Sequence, residues 1–197
     1  ETYELVGYLC EYSSVTLPFA LFNMISGGAH APGNVKIQEF MVIPVGAQSF
    51  RSCMESAVIL YHHLHEVLKK NLPYVYTSIE GAFAGPFKDD SHALELLMQA
   101  IEGAQKVTKH RFLIALDVAA TQFYDKKNKT YEWGGKKRSS EELIDLYARL
   151  AKQFPIFSIE DGLSEFDQQN WSLLMDTLGD SVQIIGDDIF VSNPELI

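Results

Sequence analysis

The chain has 197 residues, 47% of them hydrophobic and 21% charged, the composition of a globular protein long enough to bury a substantial core. Its 26 acidic against 16 basic side chains give a formal charge of -10, which excludes a general nucleic-acid or anionic-membrane surface and admits an anionic small substrate only where a local cation reverses the field. Two cysteines, Cys10 and Cys53, lie in no metal-type pair, so a zinc framework and a disulfide scaffold are excluded and a reducing cytoplasmic setting is the default; no apolar run is long enough to span a bilayer.

Residues 1–16 form a lead-in whose Tyr3, Leu5, Val6, Tyr8 and Leu9 suit a short helix, and residues 17–197 form the main unit. The run Leu17 to Ile25 reads as a strand, followed by a glycine-rich loop from Ser26 to Asn34. A second strand, Ile37 to Val45, carries Gln38 and Glu39; an acid inside an apolar strand is costly unless paired or functional, which favours a site role for Glu39. Phe50 to Lys70 places Met54, Ala57, Val58, Tyr61, Leu64 and Leu68 on one helical stripe, with His62, His63 and His65 as packing and surface residues. Tyr74 to Lys88 is irregular, and on the residues alone Glu80 within it ranks as a solvated loop acid.

A second helix enters through Asp89, Asp90 and Ser91 and buries Leu94, Leu97, Met98 and Ile101. From there strands at 112–117, 156–160 and 182–187 alternate with helices from about Ser139 to Phe154 and about Glu165 to Leu178. Ser139 and Glu142 make a capping-box pair, while Leu143, Tyr147, Leu150, Ala151 and Phe154 form the apolar side of that helix. The lysine- and glycine-rich insertion from Asp125 to Arg138 reads as an exposed hairpin or loop.

Strands alternating with helices predict parallel βα units and an α/β barrel, whose strand C-termini all open onto one face. Three apolar runs end in acid, at Asp117, Glu160 and Asp187. For any one of them a turn former or helix cap is an equal reading. Three in register would repel one another unless a cation lies between them, and an all-oxygen ligand set of this hardness points to Mg²⁺ before zinc. Asp161 and Asp188 then act as acceptors that anchor loops. Gly27 and Gly28 beside His30 read equally as a tight turn with a surface histidine or as part of a site.

Several motifs together resemble the enolase family: Asn23 to Ala31 (NMISGGAHA), Ile37 to Met41 (IQEFM), Ala115 to Ala120 (ALDVAA), Ser158 to Leu163 (SIEDGL) and Gly186 to Pro194 (GDDIFVSNP), in the family's order from about Leu17 to the end. The resemblance implies a magnesium-dependent lyase that interconverts 2-phosphoglycerate and phosphoenolpyruvate, on an incomplete TIM-type barrel of about five strands with flanking helices. It implies Asp117, Glu160 and Asp187 as magnesium ligands, His30, Gln38, Glu39, Glu160 and Asp187 as substrate contacts, and Glu80 as the acid that helps the C3 hydroxyl leave. Crowding of Glu39 near Glu80 would then raise one pKa enough to hold a proton. A cytoplasmic homodimer is implied for the complete protein.

The chain departs from the family in one loop. Where the family carries Gly-Asp-Glu-Gly-Gly-Phe-Ala-Pro, this chain has Ser78 to Pro86 (SIEGAFAGP), with Ile79 in place of an acid, Ala82 in place of a glycine and Gly85 inserted. A methyl group where backbone freedom was needed would shift Glu80 and favour a non-catalytic, enolase-like binding or structural protein. The expected barrel also ends after its fifth strand, so the family's base lysine and phosphate-binding residues are expected beyond Ile197, and turnover by these residues alone is expected to be negligible. A different acid-metal enzyme of the superfamily is disfavoured, because Ile37 to Val45 lacks the lysine pair such relatives carry.

Overall fold

The computed structural model describes residues 18–196, so the lead-in lies outside the described residues. In chain order it contains β1 (Phe22–Ser26), β2 (Glu39–Val45), α1 (Phe50–Asn71), β3 (Tyr76–Thr77), β4 (Phe83–Ala84), α2 (Asp90–Thr108), β5 (Arg111–Asp117), β6 (Tyr124–Asp125), β7 (Thr130–Trp133), β8 (Lys136–Arg138), α3 (Ser140–Gln153), β9 (Ile156–Glu160), α4 (Gln168–Leu178) and β10 (Gln183–Ile185). Seven strands form one open mixed sheet in the order β10-β9-β5-β2-β1-β4-β3, and β6, β7 and β8 form a separate small sheet. This is an α/β architecture with an unclosed barrel, as the alternation predicts.

One expectation is corrected. The main strands are not all parallel: β5, β9 and β10 run together, but β2 is antiparallel to both β1 and β5. The reason is the connection between β1 and β2, a loop without a crossover helix, which can only return the chain in the opposite direction.

The sheet is buried on both faces. Phe40 and Val42 of β2 and Phe112, Ile114 and Leu116 of β5 pack beneath the helices, while Met41, Ile43, Leu113 and Ala115 pack together on the concave face. This period-two division explains why both strands read as continuous apolar runs. Two irregularities interrupt it, one between Asn23 and Ile25 in β1 and one at Phe157 in β9, opposite the Ile114–Ala115 step. Each shifts the residues after it to the other face.

Helix α1 is rotated from its predicted stripe. Its buried line is Ala57, Leu60, Leu64 and Leu68, whereas Met54 and Val58 are 41% and 46% exposed. It packs along α2 as well as on the sheet, so the buried face turns toward the neighbouring helix. His63 lies over Gly103 of α2, where an added methyl would stand 2.9 Å from its Nδ1, and His65 stacks on Phe83. Ser49 and Asp89 cap α1 and α2 by accepting from the backbone of Ser52 and His92, and the Ser139–Glu142 capping box is formed.

The 125–138 segment forms the expected, mostly exposed hairpin, but two of its aromatic residues turn inward. Tyr131 and Trp133 alternate inward along β7 and are buried, Trp133 meeting Phe123 and Tyr147 edge to face. The Tyr131 hydroxyl donates to Asp167 (2.8 Å) and accepts from the Ser164 backbone (3.0 Å). Ser140 and Asn170 also donate to Asp167, and this net holds the residues before α4 in a loop, so the helix starts at Gln168 rather than Glu165.

Asp90 ties the glycine-rich loop to the helical layer. Its buried carboxylate accepts the backbone N–H groups of Lys36 (2.8 Å) and Ile37 (2.9 Å), just before the Gln38–Glu39 pair. Replacing it strands two inward-facing donors, so Asp90→Ala is expected to lower the stability measured by urea unfolding by roughly 2–4 kcal/mol, and Asp90→Asn by less.

Candidate active site

The candidate residues meet because of register. Ser26 pairs with Glu39, Glu39 with Asp117, and Asp117 with Glu160, so the ends of β1, β5 and β9 and the start of β2 form one row across the sheet. Glu39 and Asp117 continue the alternation that places Met41 and Ala115 on the concave face, and the Phe157 irregularity brings Glu160 to that same side.

Two clusters stand on this row. In the first, carboxylate oxygens of Asp117, Glu160 and Asp161 all lie within 4.8 Å of one another. Asp117 accepts from Gln38 Nε2 (3.2 Å) and from the Ala119 backbone (3.1 Å). Burial pushes Asp117 up to about 6 against the pull of the Gln38 hydrogen bond, with Asp161 and Asp188 adding to the rise. Glu160 is pushed up to about 7, first by burial and then by Asp117, Asp161, Asp187 and Glu39.

Asp161 adopts a left-handed backbone (φ 43°), a conformation costly for most non-glycine residues but tolerated by aspartate. Its two oxygens accept the backbone N–H groups of Asp187 (3.1 Å) and Asp188 (2.9 Å), which fastens the turn after β10 to the end of β9. Asp187 is thus held here by its backbone. Its carboxylate is exposed and is not among the three that converge, although it adds to the field on Glu160.

The second cluster is His30, Glu39 and Glu80. His30 Nδ1 lies 3.0 Å from Glu80 Oε2 and 3.4 Å from Glu39 Oε1, and Asn23 Nδ2 donates to Glu80 Oε2 at 3.3 Å. The imidazole nitrogen is buried without an aligned hydrogen bond, so its contact with the two carboxylates is electrostatic. Burial, then Glu80 and Asp117, push Glu39 up to about 7, and His30 opposes the rise.

The glycines that place His30 are required by close approach. A methyl on Gly27 would sit 2.5 Å from the Ile37 carbonyl oxygen, and Gly28 has φ +51° with Lys36 carbonyl oxygen 2.9 Å from the same position. In the Glu80 loop, Gly81 takes the left-handed conformation (φ 84°), while Ala82 is buried with an ordinary φ. The methyl group of Ala82 therefore does not displace the loop. Ile79 points fully into solvent, and Glu80, although 39% exposed, reaches His30.

Sequence reasoning passed over Asn23, whose signal was present: a lone amide inside an apolar strand, the same signal that marked Glu39. It also left unseen the contact between the Ser26 and Ser78 hydroxyls (3.0 Å), which links β1 to the Glu80 loop. The family model described as "Enolase, C-terminal TIM barrel domain" matches residues 14–197. The chain belongs to this enolase barrel family. It is therefore an enolase-superfamily lyase type of domain acting on a small molecule, and among the described residues no helix is long and apolar enough to cross a membrane.

Domains of this kind commonly use Mg²⁺, and the enolase-type residues here fit a hard divalent cation. The Asp117–Glu160–Asp161 cluster offers only oxygen donors, and among the described residues no lysine or arginine pairs with any of them. Raised carboxylate pKa values are also stability statements. Relative to ordinary values of 4.5 and 3.8, the folded values near 7 for Glu39 and Glu160 and near 6 for Asp117 give stabilisation that is complete at low pH and lost as pH rises through them. In the presence of a chelator, the thermal midpoint is expected to fall between about pH 5 and about pH 8, and Glu160→Gln to flatten that fall. Magnesium is expected to restore the midpoint at the alkaline end, because binding requires the ionised carboxylates.

Proposed function

We propose that this domain belongs to an enolase that interconverts 2-phosphoglycerate and phosphoenolpyruvate. The observation that carries the reading is the pair of adjoining clusters on one strand row, a trio of carboxylates and a His–Glu–Glu group in which Glu39 is pushed up to about 7. Removing the C2 proton beside an ionised carboxylate builds up negative charge, and expelling hydroxide from C3 needs an acid. The two clusters answer those two demands separately.

In this reading Asp117, Glu160 and Asp187 hold magnesium, with Asp161 keeping the Asp187 backbone in reach. When bound, the ion supplies positive charge that stabilises the carboxylate side of the intermediate. Gln38 donates to Asp117 and fixes its orientation, while His30, Gln38, Glu39, Glu160 and Asp187 line the substrate. Glu39 holds a proton near neutral pH, since burial and the neighbouring Glu80 carboxylate disfavour its ionised form, and its hydrogen bond to Glu80 lets that proton pass across. Glu80 delivers that proton to the departing C3 hydroxyl, which leaves as water; in the reverse direction the pair takes it back. The C2 proton goes to a base outside this set of residues.

The non-catalytic alternative drew support from the altered loop around Glu80, and the approach of Glu80 to 3.0 Å from His30 supports the catalytic reading instead. A cytoplasmic location, a role in glycolysis and assembly as a homodimer belong to the same reading. The experiment is to follow phosphoenolpyruvate absorbance with 2-phosphoglycerate and magnesium, using the full-length protein. Glu80→Gln is expected to lower kcat by about 10²–10⁴-fold with KM changed only a few-fold, whereas a wild-type protein without turnover at saturating magnesium would overturn the reading.

A further inference from the structure

The turn that carries Glu80 is closed by two internal bonds, Ser78 N–H to the Ala82 carbonyl (2.8 Å) and Gly81 N–H to the Ser78 carbonyl (3.0 Å). These set the shape of the turn but not its direction. Gly81, the residue immediately after Glu80, has φ 84° and no side chain, and the space a Cβ would take is open, so no packing at Gly81 itself fixes the direction in which the turn presents Glu80.

What selects one orientation comes from α1. The Tyr61 hydroxyl donates to the Gly81 carbonyl at 2.7 Å, and its ring stacks on Phe83, the first residue after the turn, with centroids 4.2 Å apart. One helical turn on, His65 lies nearly parallel to the same Phe83 ring at 5.2 Å. Tyr61 is partly buried against this loop, and it touches neither cluster of the candidate site. We propose that Tyr61 is a positioning residue, which fixes the Gly81 peptide from behind so that Glu80 is presented to His30 and Asn23. Its consequence for catalysis rests on the enolase reading of Glu80; the positioning itself does not.

Tyr61→Phe removes the hydroxyl and keeps the stack on Phe83. In the full-length protein the variant is expected to keep its thermal midpoint, while the Ser78 and Gly81 amides exchange with solvent about tenfold faster or more and the Leu64 and Leu68 amides are unchanged. The NMR contact between the His30 ring and the Glu80 side chain is expected to be lost. With magnesium and 2-phosphoglycerate, kcat is expected to fall about tenfold or more, with KM and magnesium affinity unchanged. Tyr61→Leu, which also removes the stack, should show the same local changes with a lower midpoint.

Wild-type exchange and an intact His30–Glu80 contact in Tyr61→Phe would overturn the proposal, and a lost contact with unchanged kcat would overturn its consequence for catalysis. A wild-type protein that forms no phosphoenolpyruvate sinks the enolase reading instead, and the exchange and contact measurements then still decide the positioning claim.

Discussion

The pairing of Glu39 with Asp117 is the contact on which the rest of the site depends. It exists because β2 runs against its neighbours, so that the first residue of one strand stands beside the last residue of the next. Had β2 followed the parallel rule of the other main strands, Glu39 would lie at the far end of a seven-residue strand, about 20 Å from Asp117. The loop from Gly27 to Gln38 enforces the reversal, and Asp90 fastens that loop from below. The glycines, the buried aspartate and the strand direction are therefore one device, whose effect is to set the His30–Glu39–Glu80 group beside the Asp117–Glu160–Asp161 trio.

That junction carries an electrostatic cost that the core must offset. Two ionised carboxylates with oxygens within 4.8 Å of one another repel by at least roughly 3 kcal/mol at an effective dielectric near 20, reduced where solvent reaches them. The two clusters relieve this differently. His30 sits between Glu39 and Glu80 and opposes the rise in Glu39, whereas among the described residues no lysine or arginine pairs with Asp117, Glu160 or Asp161, whose hydrogen bonds come from an amide and from backbone N–H groups. The two clusters therefore differ in their neighbours as well as their residue types: an imidazole stands between the carboxylates of one, and the other consists of carboxylates alone.

Much of this was legible in the residues. Apolar runs that end in acid, the Ser139–Glu142 cap and the Leu64 and Leu68 positions all follow from local pattern, because each depends on neighbours within one element. What escaped depends on partners far along the chain. A strand irregularity of one residue, as at Phe157, leaves no compositional trace, yet it decides which face Glu160 occupies. Tyr131 and Trp133 alternate correctly for a half-buried strand, but the surrounding lysines and glycines conceal it. Asp161 read as an anchor; its second property, convergence with Asp117 and Glu160, appears only once the β9–β5 register is fixed.

The Glu80 loop shows how a turn's geometry can be set by its surroundings where the local sequence has departed from its family's pattern. Each change falls on a side chain that the turn does not use: Ile79 faces solvent, Ala82 fills a buried site at an ordinary backbone angle, and Gly85 passes close to Leu72 and the Tyr74 carbonyl, where a side chain would crowd. The positions that set geometry are Gly81, which alone in the turn takes the left-handed angle, and Glu80 itself. Orientation is supplied from outside by Tyr61 of α1 and by Asn23 and Ser26 of β1, two elements distant in sequence. A loop whose direction is fixed by its surroundings can change its own residues freely, so the departures in this segment are weak evidence against catalysis, and a change at Tyr61 or Asn23 would be stronger.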